Sequence, residues 1–333
     1  TFQGSFISGT DGYGVSIVQL SYYNSILQST ITSSNGSYAA LGVISNARFN
    51  SVQSSFLSGQ GSGAYLYADA SNNTISQSTI TSSGSGSLGL IIMLASSNTV
   101  QDSYVSAPNG HGAGFYYDTH DNTISRSTIT SSRSGYYGLY FYYTSSNTVM
   151  ASYVQGSTAV YVIGSTGTVI GGSVLVSTWT NGIGLQLGKD SLNLTLASST
   201  IQGGIGGAAI YLDQGNRGSI ALSSNTITST ATTGSPYYGL LIATQTGGPP
   251  FTGLSIASMT FLDPLPAGAT AIEFLGGTFL STFTAVAFNS TNIGANINAS
   301  PLDPSSTIWM QAAAGPRAGP AFADDPNMVV HWG

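Results

Sequence analysis

The sequence predicts an all-β solenoid built from stacked coils of about 24 residues. The first observation is a repeat of 49 residues, each copy of which divides into two shorter units that both open on an asparagine. The second is that every unit carries alternating strand patterns separated by Ser- and Gly-rich loops. The asparagines that open the most regular units are Asn24, Asn50, Asn73, Asn98, Asn122 and Asn147.

Two apolar columns set the register of the coils. The residue two positions after each asparagine and the residue seven positions after it are Ile, Val or Leu, as in Ile75 and Ile80. The residues between them are mainly small and polar, and period-two alternation points them outward. The columns continue, after the asparagine is lost, as far as Ile256 and Phe261. This pattern predicts about eleven coils and a ladder of stacked asparagine side chains.

A third strand follows each Ser- and Gly-rich loop and reads small, apolar, any residue, apolar. An example is Gly138-Leu139-Tyr140-Phe141. Three strands per coil would stack in parallel on the neighbouring coils at ~4.8 Å. The pattern fades near residue 290, so we predict a solenoid over residues 1–290. Residues 291–333 are predicted to form an irregular Pro- and Ala-rich tail that caps the last coil or contacts another subunit.

With these columns the sequence resembles the right-handed parallel β-helix proteins of the pectin-lyase-like superfamily, with their carbohydrate-binding and sugar-hydrolysis type repeats. The opening asparagines stand where that superfamily has its stacked turn asparagine. The resemblance implies an all-β, right-handed parallel β-helix. It does not choose an activity, because the superfamily includes lyases, glycosidases, phage tailspikes, adhesins and inert spacers.

Composition excludes several classes of partner. Only 5% of the residues are charged, and 12 acidic against 6 basic residues give a net charge of −6. A nucleic-acid groove needs clustered Lys and Arg, which this chain lacks. There is no cysteine and no uninterrupted apolar run long enough for a membrane span. A hydroxyl-rich, Lys-poor solenoid indicates an extracellular or cell-surface protein, and no cofactor or metal is predicted.

The outer face of the third strand is where the resembled enzymes bind substrate. Here the predicted outward column contains one charged residue, Glu273, among eleven. A lyase needs a base with a cationic partner, and a glycosidase needs two carboxylates, so the sequence favours a protein that is not an enzyme.

The best enzymatic cluster lies at strand ends near His111. Stacking would place Asp69 and Asp118 roughly 10 Å apart, within the range of an inverting glycosidase. Turn chemistry, catalysis and a cation site remain open for this cluster. Its members are His111, Asp118, His120 and Asp121, with Asp69 at the comparable strand end two coils earlier.

Two surfaces are candidate interfaces. One is a stripe of apolar and Tyr residues on the third strands, long enough to predict contact with another subunit. The other is the pair of chain ends, where Phe2 would meet Trp309 and Trp332 of a neighbouring copy. The members of the stripe are Leu66, Ile91, Tyr116, Tyr140, Tyr161 and Tyr211.

Two smaller patterns test the register. Asp102 and Arg126 both lie four residues after their asparagine on successive coils, so we expect an outward ion pair. A Thr-x-Thr motif recurs at Thr30, Thr79 and Thr128, where ordinary strand threonine is favoured over a surface that orders ice-like water.

The sequence therefore favours an extracellular structural subunit whose partner is itself, stacked head to tail into a surface or filamentous assembly. Two alternatives stay open. One is a carbohydrate-active β-helix enzyme or tailspike-like depolymerase. The other is a non-catalytic glycan-binding or adhesive solenoid, since tyrosine rings stack on sugars.

Overall fold

The structure is a computed structural model that describes residues 1–204, 206–213, 218–230, 236–243, 251, 253–276, 279–290, 292–300, 306–314 and 328–332. The described residues form thirty-seven strands, β1 to β37, and contain no helix. All their strand pairings are parallel, which confirms the predicted parallel solenoid of about eleven coils. By its internal contacts the chain divides into two units, residues 1–157 and residues 158–333.

The first unit holds six complete coils of three strands and the first two strands of a further coil. The first strands are β1 (Phe2–Gln3), β4 (Ser25–Leu27), β7 (Ser51–Gln53), β10 (Thr74–Ser76), β13 (Thr99–Gln101), β16 (Thr123–Ser125) and β19 (Thr148–Met150). The second strands are β2 (Phe6–Gly9), β5 (Thr30–Ser33), β8 (Phe56–Gly59), β11 (Thr79–Ser82), β14 (Tyr104–Ala107), β17 (Thr128–Ser131) and β20 (Tyr153–Gly156). The third strands are β3 (Val15–Val18), β6 (Leu41–Ile44), β9 (Ala64–Tyr67), β12 (Leu90–Met93), β15 (Ala113–Tyr116) and β18 (Tyr137–Tyr142).

The two apolar columns of the first unit lie in its core, as predicted. Ile75 pairs with Val100, and Ile80 pairs with Val105 on the next coil. These side chains are at most 2% exposed. Burying one large aliphatic side chain per strand on every coil stabilises the stack by roughly 1.5–3 kcal/mol for each side chain.

The first and second strands of each coil share one sheet, and the third strands form another. The bend between the first and second strand is a single left-handed residue, such as Gln77 with φ 49°. The serine after it, Ser78, donates through Oγ to the carbonyl of Ser76. The backbone N–H of Ser78 donates to Oγ of Ser103 on the next coil. This serine ladder satisfies the turn's buried polar groups, so the sheet bends sharply without a break.

An asparagine ladder runs along the corner that precedes the first strands. The backbone N–H of Asn73 donates to Oδ1 of Asn98 at 3.0 Å, and so does its Nδ2 group. Nδ2 of Asn73 also donates to the carbonyl of Ala47. The same pattern links each of the six predicted asparagines to the next, from Asn24 to Asn147. Each amide thereby satisfies buried backbone groups that the turn leaves unpaired.

The second unit continues the same strand pattern with longer strands. It opens with β21 (Thr158–Ile163). Its first strands are β22 (Val169–Gly171), β25 (Leu194–Ala197), β28 (Ile220–Ser223) and β31 (Leu254–Ala257). Its second strands are β23 (Val174–Ser177), β26 (Thr200–Gly203), β29 (Thr226–Ser229) and β32 (Thr260–Phe261). Its third strands are β24 (Ile183–Leu187), β27 (Ala208–Leu212), β30 (Tyr238–Ala243) and β33 (Ala269–Leu275).

Four strands complete the second unit: β34 (Leu280–Phe288), β35 (Ile293–Ser300), β36 (Ser306–Ala314) and β37 (Met328–Trp332). Strand β35 pairs with β33, β36 pairs with β34, and β37 pairs with β36, all in parallel. Three of these strands therefore lie in the stretch 291–333, and the division at residue 290 stays a prediction. Trp309 and Trp332 lie on β36 and β37, and their side chains are outside the described part of the chain.

Candidate functional site

Four tyrosines cover the outer face of β15 and β18 in the first unit, and we call them the tyrosine platform. They are Tyr116, Tyr137, Tyr140 and Tyr142, each half-buried. The Tyr116 and Tyr140 rings meet edge to face at 5.6 Å, and Tyr140 lies 5.6 Å from Tyr142 and 5.1 Å from Tyr137. Strand alternation places Tyr116, Tyr140 and Tyr142 outward, while Phe115 and Phe141 fill the core beneath them.

A missing side chain makes room for one ring of the platform. Gly114 pairs with Tyr140 in the parallel register, so the two occupy the same outward column. A Cβ atom at Gly114 would collide with the ring of Tyr116. The ring of Tyr116 therefore folds back over its own strand, next to Tyr140.

Two of the platform tyrosines have raised pKa values. Burial, followed by the neighbouring Tyr117 and Tyr137, raises the pKa of Tyr116 to about 12. Burial also raises the pKa of Tyr137. These two phenols therefore remain protonated at neutral pH and can donate hydrogen bonds to a ligand. Arg133 lies over the neighbouring Tyr136, 5.8 Å from its ring centre.

His111 lies against the side of the platform and is neutral. Its ring is 4.9 Å from Tyr137, 5.0 Å from Tyr136 and 6.0 Å from Tyr140. Its Nδ1 accepts the backbone N–H of Tyr137 at 2.9 Å, which places the proton of the neutral ring on Nε2. Burial lowers the pKa of His111 to about 4.

Two predicted carboxylates lie at the opposite end of the same third strands. Asp69 follows β9 and Asp118 follows β15, on coils that flank β12. Both side chains are exposed, and both residues are left-handed, with φ of 64° and 47°. Because β9, β12 and β15 are successive neighbours, the two residues lie two rungs apart, about 10 Å. Asp118 directly follows Tyr117, whose ring lies 5.3 Å from that of Tyr142 in the tyrosine platform.

The remaining members of the predicted cluster are His111, His120 and Asp121. His120 Nδ1 lies 2.8 Å from Oδ2 of Asp121, and both side chains are exposed. His111 precedes β15 whereas Asp118 follows it, so the structure does not bring His111 to the cluster. Among the described residues, no group of three or more His, Cys, Asp or Glu could hold a metal ion.

The predicted outward stripe needs correction at several positions. Leu66 is 1% exposed and points into the core, while Tyr65 and Tyr67 face outward. The prediction was wrong because Gly63 and Ala64 both fit the small position, and the apolar Leu66 side chain is buried in preference to tyrosine. Tyr116 is outward but pairs with Met93 and Tyr142, one outward column away from Ile91 and Tyr140.

The other predicted residues agree with the structure at some positions and differ from it at others. Glu273 was expected on the outward face but is 4% exposed. Tyr161 and Tyr211 lie in one column of the second unit, separated by Gln186, as predicted. Phe2 pairs with Ile26 in the core column yet is 50% exposed. The Asp102–Arg126 ion pair is confirmed, with two contacts of 2.7 and 2.8 Å.

Sequence reasoning missed half of the tyrosine platform and the whole serine ladder. The signal for the platform was present in residues 136–143, which read YYGLYFYY. The signal for the ladder was a serine five residues after every opening asparagine, in the series Ser29, Ser55, Ser78, Ser103, Ser127 and Ser152. The serine signal has the period of the coil, whereas the tyrosine run occurs once.

Residues 89–256, half of the chain, match the family described as "Right handed beta helix region". The chain belongs to this family. A search of the curated proteins finds no match. No described helix is long and apolar enough to cross a membrane.

The fold of this β-helix is similar to several solved structures. The A-module of the Azotobacter vinelandii mannuronan C-5 epimerase AlgE4 is 13% identical, with a TM-score of 0.52 over 98% of this chain and 91% of that one. A tailspike protein of E. coli bacteriophage HK620, in complex with a pentasaccharide, is 8% identical, with a TM-score of 0.52 over 97% and 70%. The tailspike protein of Pseudomonas phage LKA1 is 13% identical, with a TM-score of 0.49 over 83% of this chain. This chain spans 52% of the length of that tailspike.

These similarities correct the predicted function. Two of the structures that share the fold, each with a TM-score of 0.52, are a mannuronan C-5 epimerase module and a tailspike protein in complex with a pentasaccharide. The prediction of a structural filament subunit is therefore wrong. The apolar stripe that supported assembly also loses Leu66 to the core and contains Gly114 at one of its rungs.

Proposed function

We propose that this β-helix is a carbohydrate-active protein that binds a polysaccharide across the tyrosine platform and cleaves it at the adjoining carboxylates. The observation that carries the proposal is the platform itself, four phenol rings that contact one another in one cluster on β15 and β18. Because polysaccharides of this kind lie outside cells, the proposal also makes the protein extracellular or bound to a cell surface.

The chemistry of the platform suits a sugar chain. A pyranose ring has an apolar face of C–H groups that packs on an aromatic ring, and equatorial hydroxyls that accept from phenols. Burial keeps Tyr116 and Tyr137 protonated, so both can donate. The neighbouring carboxylates and the net charge of −6 favour a neutral polysaccharide over an anionic one.

Asp69 and Asp118 are the proposed catalytic residues. Their backbones lie about 10 Å apart, just beyond the roughly 6.5–9.5 Å that separates the carboxyl groups of inverting glycosidases. Rotation of the two exposed side chains can bring the carboxyl groups within that range. In that mechanism one carboxylic acid protonates the glycosidic oxygen as its bond to the anomeric carbon breaks. The other carboxylate removes a proton from the water that attacks the same carbon from the opposite face.

A non-catalytic glycan-binding protein is the second candidate. Asp69 and Asp118 are both exposed and both have a left-handed backbone, which favours this candidate. Asp is common at such turns because it tolerates this backbone conformation and bonds to the turn. In that case the tyrosine platform binds the glycan and the carboxylates serve only the corner of the coil.

The test is a screen of neutral polysaccharides for binding by affinity electrophoresis and for cleavage by release of reducing ends. Tyr140→Ala is expected to weaken binding about fivefold to tenfold, because it removes the central ring. Tyr22→Ala is the control, since Tyr22 is 44% exposed on a turn away from the platform. Unchanged binding by Tyr140→Ala would contradict the proposal.

Asp118→Asn separates the two candidates. Asparagine tolerates the left-handed backbone at this position, so the turn is expected to keep its shape. If the chain is a hydrolase, this variant binds the polysaccharide normally but releases no reducing ends. If the unaltered protein binds and never cleaves, the non-catalytic candidate holds instead.

A further inference from the structure

A second aromatic feature lies on a different sheet of the first unit. On the outward face of the second strands, aromatic residues and threonines alternate from coil to coil in strict parallel register. We call this column the aromatic–threonine ladder. Its members are Phe6, Thr30, Phe56, Thr79, Tyr104, Thr128 and Tyr153.

The ladder has a fixed physical period. Neighbouring coils are about 4.8 Å apart, so its aromatic rings recur about every 10 Å and span about 30 Å from Phe6 to Tyr153. Three of the rings are exposed: Phe6 by 73%, Phe56 by 41% and Tyr104 by 42%. Exposed aromatic rings at a regular spacing are costly to leave in water and indicate a binding surface.

A hydroxyl-rich column runs beside the ladder, two residues further along each strand. It contains Ser8, Thr32, Ser58, Thr81, Ser106, Thr130 and Gln155. The Tyr104 hydroxyl lies 3.3 Å from Oγ1 of Thr130, and Tyr153 donates to Oε1 of Gln155 at 2.9 Å. These contacts lean the two phenol rings across the sheet, so that their faces are presented outward. Neither column contains a charged residue.

We infer that the aromatic–threonine ladder is a second binding face, which takes an extended, neutral, β-linked polysaccharide of the cellulose or chitin type. In such a chain each sugar is turned over relative to the last, so the same face recurs every second sugar. The length of that two-sugar unit is close to the spacing of the aromatic rings. Alternate sugars would stack on aromatic rings, and those between them would lie over threonine.

The hydroxyl column supplies the polar half of this site. Sugar hydroxyls at the edge of the chain would exchange hydrogen bonds with Thr32, Ser58 and Thr81 and their counterparts on the other coils. An α-linked chain coils, so its sugars cannot follow the spacing of about 10 Å between the aromatic rings. The inference is independent of the tyrosine platform, because the ladder lies on the other sheet and requires no cleavage.

The first test measures binding of cello-oligosaccharides and chito-oligosaccharides of increasing length by calorimetry. Malto-oligosaccharides and dextran serve as probes that do not match the period. Affinity is expected to rise with length up to about six sugars, the number that spans about 30 Å, and then to level off. Equal binding of the α-linked probes, or an affinity that does not depend on length, would overturn the inference.

The second test uses matched substitutions. Phe56→Ala and Tyr104→Ala are each expected to weaken binding of the cellohexaose or chitohexaose probe about fivefold. Phe49→Ala is the control, because Phe49 is 46% exposed, close to the 41% of Phe56, but lies on a turn outside the ladder. Tyr140→Ala on the tyrosine platform is measured beside them with the same probe.

The outcomes keep the two sites apart. If Tyr140→Ala loses binding and the ladder variants do not, the ladder inference fails and the proposed function stands. If the ladder variants lose binding and Tyr140→Ala does not, the ladder inference holds by itself. Sedimentation provides the last check: if Tyr104→Ala converts a self-associated protein into monomers, the ladder is an interface between copies and the inference is overturned.

Discussion

At the residue scale, His111 shows how the coil surface determines protonation. The imidazole is enclosed by Tyr136, Tyr137 and Tyr140, and its only described hydrogen bond is to the backbone N–H of Tyr137. The aromatic surroundings disfavour the charged ring and lower its pKa to about 4. This residue therefore fixes the edge of the tyrosine platform without contributing charge to it.

Because the pKa of His111 is lowered in the folded chain, we expect the free energy of unfolding to fall in mild acid. Its pKa is about 4 in the folded chain and about 6.5 when unfolded, so between these values the unfolded state binds more protons. The contribution is full above pH 6.5 and is lost as the pH falls toward 4. Thermal unfolding of the native protein and His111→Asn should show it, since Asn retains an acceptor for the Tyr137 N–H. Parallel declines in the two melting temperatures over this range would contradict the assignment.

Residue-level prediction from sequence succeeded where one side chain type fits one environment. The core columns and the Asp102–Arg126 ion pair follow from counting positions after each asparagine. Prediction failed at Leu66, because two strand registers that differ by one residue satisfy the same sequence pattern. Only the pairing of Leu66 with Val43 and Ile92 in the structure decides between them. Tyrosine makes this failure common, because it is accepted on either face of a strand.

At the element scale, polar ladders determine how the coils turn. The asparagine ladder was predictable because its residues open every regular coil. The tyrosine platform was not, because Tyr116 reaches it only by folding over Gly114. Within the asparagine ladder, burial and hydrogen bonding depend on position. Asn98 is 1% exposed and bonds to both neighbouring coils, whereas Asn24 is exposed and bonds to one.

Asn98→Ala is expected to destabilise the first unit by roughly 2–4 kcal/mol, because it leaves the N–H of Asn73 and the carbonyl of Ala70 buried without their side-chain partner. Asn24→Ala is the matched control at the exposed end of the ladder and should cost less than about 1 kcal/mol. Chemical denaturation compares the two midpoints. Equal shifts would show that the ladder does not act through its buried bonds.

At the scale of the whole molecule, the regular stack gives surfaces whose period matches repeating ligands. The fold class followed from the repeat alone, but the function did not, since the same columns support enzymes, adhesins and spacers. The predicted lateral contact with another subunit rested on an apolar stripe that the register of β9 and β15 interrupts. What remains on that face is a cluster of tyrosine rings, of which Tyr116 and Tyr137 have raised pKa values, and we propose that this cluster suits a neutral sugar chain.

The most direct measurement of the central claim is a crystal structure of the Asp118→Asn protein soaked with the oligosaccharide selected by the binding screen. We expect sugar rings stacked on Tyr140 and Tyr142, with a glycosidic oxygen near the side chain at position 118 and the sugar chain extending toward Asp69. Sugar bound elsewhere on the chain, with the tyrosine platform empty, would contradict it.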